Sequence, residues 1–83
     1  MSLPDYSSTA TLSLVREMCA SGQARQLRQA KGLSLREVGD AIGTSAAIVA
    51  RWETGKTRPR KDAALRLAAL YSELIAATEE APE

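Results

Sequence analysis

Between Arg51 and Lys61 the chain reads R-W-E-T-G-K-T-R-P-R-K. Five cations, Arg51, Lys56, Arg58, Arg60 and Lys61, stand there against one acid, Glu53. Such groups bind phosphate, arginine as a planar fork that meets two oxygens and lysine as a point charge. An arginine can also grip the O6 and N7 edge of guanine. The charge is local. Counted along the sequence, residues 1–21 carry a net −1, residues 22–50 +2, residues 51–61 +4 and residues 62–83 −4. The overall balance of +1 therefore conceals one basic footprint of the kind that phosphates need. Alone, the same pattern also fits a solvated loop before an acidic tail.

Other chemistry is poorly supplied. There is no histidine, no cysteine pair, no glycine-rich phosphate loop and no clustering of carboxylates in a plausible cleft. The expectation is that the chain is not an enzyme and holds no metal or cofactor. Cys19 has no partner for an internal disulfide and reads as a small apolar residue. No run of about eighteen apolar residues suggests a membrane span. The N-terminus lacks a basic stretch followed by an apolar one, so it is no signal peptide. A cytoplasmic location follows as the expectation.

Eighty-three residues make one domain with a small core, which dimerisation would help. With no Phe, that core must be built from Leu, Ile, Val and Ala with Trp52 and the tyrosines. Alanine and leucine abound and glycines fall at breaks, so the fold class is all-α.

The basic footprint follows a patterned stretch, Leu33 to Gly55. Ser34 and Glu37 are spaced as a capping box. Leu35, Val38 and Ile42 share the face of a helix over 34–42. Gly43 can take the positive φ of a helix end, and Thr44 or Ser45 can cap a second helix over 45–54. Val49 and Trp52 point that helix inward. Its outward positions are Ser45, Ala46, Ala47, Ala50 and Arg51, with Ile48 beside them. Gly39, inside the first helix, forgoes on the order of 1 kcal/mol relative to Ala, and close approach of another helix is a reason for it. Two short helices around a glycine turn form a helix-turn-helix unit, whose second helix can enter a major groove.

The stretch resembles the Cro/C1-type (lambda-repressor-like, XRE) helix-turn-helix family over about residues 22–71. The residues that carry the likeness are Leu27-Arg28, Gly32-Leu33-Ser34, Glu37-Val38-Gly39, Ile42-Gly43-Thr44-Ser45, Val49, and Trp52-Glu53-x-Gly55-Lys56 with Pro59. The resemblance implies a lambda-repressor-like bundle of about five helices with an extra N-terminal helix and a long C-terminal one. Residues 1–8 are then a flexible arm, 9–79 the domain with its motif at 34–54, and 80–83 an acidic tail. It also implies a structural ion pair between Arg28 and Glu53.

By the same resemblance the partner is double-stranded DNA. The chain is expected to be a sequence-specific transcriptional regulator of phage or bacterial repressor/Cro type, with helix 45–54 in the major groove. Ser45, Ala46, Ala47, Ala50 and Arg51 would face bases. Alanines offer only methyls there, so Arg51 is the one strong reader. Ser34, Arg36, Thr44, Lys56, Thr57, Arg58 and Arg60 would hold phosphates, helped by the backbone amides of the loop and by the start of helix 34–42. The family often has Gln where this chain has Leu35, and that contact is absent.

Two outer helices complete the reading. One over 9–20 carries Leu12, Val15, Met18 and Cys19 on a face with Leu14 beside it, and either packs outside the bundle or joins a dimer interface. Ser21 and Gly22 part it from a helix over 23–31, with Ala24, Leu27, Ala30 and Lys31 inward. The other, over 62–79, has a stripe from Ala64 to Ile75 that is wider than one small core needs. Its distal half, about Leu70 to Ala77, is therefore expected to bury itself against the N-terminal helix or a second subunit, and Leu70, Leu74 and Ala77 are candidates for a homodimer interface, in a dimer that exists free or forms only on DNA. The alternative function is an antitoxin-like or other protein-interaction module. No small-molecule ligand is expected.

Overall fold

Ser34, Gly43 and Ser45 punctuate the middle of the chain, and each sits where the backbone requires it. The computed structural model describes residues 6–79, with side chains from residue 8 to residue 77. Five helices follow one another: α1 Tyr6–Ser21, α2 Gln23–Ala30, α3 Leu35–Ile42, α4 Ala46–Glu53 and α5 Lys61–Glu79. The described residues contain no strand.

The α3–α4 unit is wired locally. Ser34 Oγ accepts the Glu37 amide at 3.0 Å, while the Ser34 amide donates to Glu37 Oε1 at 2.8 Å. Both members of the capping box are therefore engaged, and α3 has a fixed start. Gly43 ends it at φ 84°, a left-handed conformation that suits glycine. Ser45, rather than Thr44, caps α4 by accepting the Ile48 amide at 3.2 Å. Gly39 is explained by what lies over it. A Cβ at that position would sit 2.7 Å from the Thr44 carbonyl oxygen and 3.0 Å from the Ser45 carbonyl carbon. The turn folds directly onto bare backbone, and the Thr44 amide donates to the Gly39 carbonyl at 2.8 Å.

All five helices contribute to one core. Val15 and Cys19 come from α1, Ala24 from α2, Val38 and Ile42 from α3, Val49 and Trp52 from α4, and Ala64, Leu67 and Tyr71 from α5. Full burial of a side chain such as Leu67 contributes about 1.5–3 kcal/mol. The N-terminal helix is thus neither an outer layer nor a free surface. It lies along α5 and also meets α2 and α4.

Several boundaries and faces differ from the sequence reading. α1 begins at Tyr6, not Thr9, so the arm expected over 1–8 loses its last three residues to helix; Met1 to Asp5 lie outside the described residues, as does the tail over 80–83. No Gly or Pro separates Tyr6 from Thr9, and nothing stops the helix from extending back. α5 runs unbroken for 19 residues. Tyr71 buries itself in the core, but Ile75 at the end of the expected stripe is 42% exposed. Leu70 and Leu74 are half-buried against the core, and only Ala77 of the three expected interface residues is exposed. Ala30 is exposed too, since α2 turns its Ala24 and Leu27 inward instead.

Candidate nucleic-acid interface

Arg28 is the hinge pin of the site's frame. Its Nε donates to Glu53 Oε2 at 2.8 Å and its Nη2 to Glu53 Oε1 at 3.0 Å, a fork-to-fork pair. The third nitrogen, Nη1, donates to the Leu33 carbonyl at 2.9 Å. One guanidinium thereby joins α2, the residue ahead of the α3 cap and the end of α4. The side chains are only 11% and 5% exposed. Glu53's hydrogen bonds raise the Arg28 pKa above its ordinary value, against the opposing effect of burial. Removing either partner alone would strand a charge in a partly dry site.

With α4 so fixed, its faces are defined. Val49 and Trp52 are buried, Ala46 and Ala50 are half-buried at the flanks, and Ser45, Ala47, Ile48 and Arg51 are exposed. The five positions expected to face bases therefore divide into three outward ones and two flanking alanines. Arg51 stands in the last turn, where its charge also suits the negative end of the helix dipole.

The basic loop leaves the end of that helix. Lys56, Thr57, Arg58 and Arg60 are all exposed, while Pro59 between the arginines is buried. One expectation is corrected here: the Lys56 and Thr57 amides are not offered outward. They donate to the Arg51 carbonyl at 3.0 and 3.4 Å, because the last carbonyls of α4 need partners. The loop presents side chains instead. Ser34 is committed in a similar way, its oxygen and amide both spent within the capping box, which leaves the amides of Leu35 and Arg36 at the start of α3. Arg36 is exposed beside them and Thr44 is half-buried.

Two arginines that sequence reasoning passed over hold this arrangement in place. Arg16 on α1 donates from Nε to the Pro59 carbonyl at 3.0 Å, pinning the loop between Arg58 and Arg60. Arg66 on α5 donates from Nη1 to the Ile42 carbonyl at 3.2 Å, pinning the turn after α3. Neither bond leaves a mark in sequence, since the acceptor is backbone. Between that turn and the start of α5 lies an open cleft of about 410 Å³, lined by Thr44, Ile48, Trp52, Arg58, Arg60 and Arg66 among others.

Away from this face, the Cys19 thiol meets the Tyr71 hydroxyl inside the core. Burial raises the pKa of both, Cys19 from the thiol range and Tyr71 from the phenol range, so both stay protonated at neutral pH. A buried, protonated thiol is inert, and Cys19 is a packing residue. Among the described residues no group of acids and cysteine could hold a metal ion, and no helix is long and apolar enough to cross a membrane.

Residues 21–80 match the helix-turn-helix domain family. The chain belongs to that family. A helix-turn-helix domain is a DNA-binding unit, and the pair of helices that defines it is α3–α4, in agreement with the Cro/C1-type likeness of Leu33–Gly55. The matched segment starts at the last residue of α1, so the helix that supplies Val15, Cys19 and Arg16 stands outside it. No curated protein and no solved structure was found to match.

Proposed function

We propose that the protein is a sequence-specific transcriptional regulator of phage or bacterial repressor/Cro type, working in the cytoplasm. It occupies an operator and blocks polymerase, with α4 in the major groove and no catalysis of its own. The observation that carries the reading is the position of Arg51. It is exposed on the outward face of α4, and the exposed cations Lys56, Arg58 and Arg60 follow within one loop. A guanine reader and its phosphate clamps thus share one end of one helix, as base readout with backbone positioning requires. A homodimer would place two such helices about one DNA turn apart, near 34 Å. The groove of about 180 Å³ between α1 and α5, flanked by Leu14 at 56% and Ile75 at 42% exposure, favours a second reading as an antitoxin-like module that binds protein there.

The test is binding to the DNA upstream of the protein's own gene and to random DNA, each at two salt concentrations, with Arg51→Ala alongside. Tighter binding to the upstream DNA, lost in the variant, is the expected result. Equal and steeply salt-dependent binding to both DNAs would mean phosphate contacts alone, and would sink the regulator reading.

A further inference from the structure

The outward face of α4 has almost no hydrogen-bonding reach. Ser45 Oγ is engaged at the cap by the Ile48 amide at 3.2 Å. Thr54 Oγ1, just past the helix, donates back to the Ala50 and Arg51 carbonyls at 3.0 and 3.2 Å. Arg51 alone keeps several donors on a side chain long enough to reach a base edge. The rest of the exposed face is apolar, Ala47 and Ile48. Ile48 is 42% exposed, although Val49 and Trp52 already fill the core side of the helix. Packing gives no reason for an isoleucine there.

Base edges in the major groove offer donors and acceptors, with one apolar exception, the C5-methyl of thymine. We propose that Ile48, with Ala47 beside it, reads a thymine methyl close to the guanine held by Arg51. Residues three apart on a helix have Cβ atoms about 5–6 Å apart. With a base-pair rise of about 3.4 Å, the thymine and the guanine lie one or two steps apart. Ile48 also lines the cleft that contains Arg58 and Arg60, so the phosphate clamps and the methyl reader approach the DNA from the same side. This inference rests on the regulator reading and adds to it the chemistry of the second base contact.

The experiment starts with a pool of randomised duplexes, enriched for binding at moderate salt. Each thymine of the enriched sequence is then replaced in turn by deoxyuridine, which removes only the methyl. At one thymine, within two steps of a guanine, affinity falls about fourfold, the effect of one buried methyl-sized group. Ile48→Ala weakens binding to the thymine duplex by a similar factor and is indifferent to deoxyuridine at that position. Ile48→Val keeps most of the discrimination, and thermal melting shows both variants folded. If no deoxyuridine matters while Arg51→Ala still erases the guanine preference, methyl reading is wrong and the regulator reading stands. If Ile48→Ala weakens both duplexes equally, or lowers self-association alone, Ile48 serves the fold or a second copy and the proposal falls. If no sequence is enriched, both readings fall together.

Discussion

The α3–α4 unit and the α1–α5 seam are held by different means. In the first, short-range bonds set every boundary: a serine oxygen on an amide, a glycine at a left-handed turn, a carbonyl resting on the bare backbone of Gly39. In the second, Val15, Cys19, Leu67 and Tyr71 meet across most of the sequence, and the contact is largely apolar. The difference teaches where precision is placed. The α3–α4 unit takes its boundaries from directional bonds over a few residues and its place in the bundle from Arg28 and Arg66, whose bonds span 25 and 24 positions, whereas the α1–α5 seam is fixed by burial.

Three changes would test that contrast. Leu67→Ala on the seam should cost the most, about 2–5 kcal/mol, because a fully buried side chain leaves a cavity. A thermal melt would register it as a fall of roughly 4–8 °C per kcal/mol. Gly39→Ala should come next, at about 1–3 kcal/mol, because the added methyl overlaps the turn. It should also weaken DNA binding beyond what the melt explains. Unchanged stability in Gly39→Ala would show that the turn is softer than the contact implies.

The smallest effect concerns pH. Bonds from the Ser34 amide hold the Glu37 carboxyl below the usual carboxylate range. A folded-state pKa below the unfolded one gives stability that is present above the unfolded value and lost as pH falls through the folded one. Stability should therefore dip on acidification from about pH 4.5 downwards, and Glu37→Gln should flatten that part of the profile. An identical acid limb in the variant would remove the capping box from the account.

The same contrast decides what could be read in advance. Ser34 and Glu37 three residues apart, Gly43 after an apolar face, and Trp52 three residues after Val49 are local signals, and the frame of α3 and α4 was legible from them. Arg28 with Glu53 came from the family likeness, because no spacing rule connects residues so far apart. The bonds of Arg16 to Pro59 and of Arg66 to Ile42 were not legible at all. A lone arginine on a helix looks solvated, and a carbonyl acceptor carries no residue type to notice. The fate of the α5 stripe was hidden for a related reason: apolar spacing says that a face is covered, but α1 covers Tyr71 and leaves Ile75 open.

The packing of Cys19 against Tyr71 has a consequence for synthesis. The two positions lie 52 apart in the sequence. At roughly 5–20 residues per second, α1 emerges from the ribosome about 3–10 s before the residue it must close on. Through that interval Val15 and Cys19 have no α5 to bury them, and for most of it the basic loop that Arg16 tethers is itself not yet made. The core is therefore completed late, when α5 arrives to close the bundle.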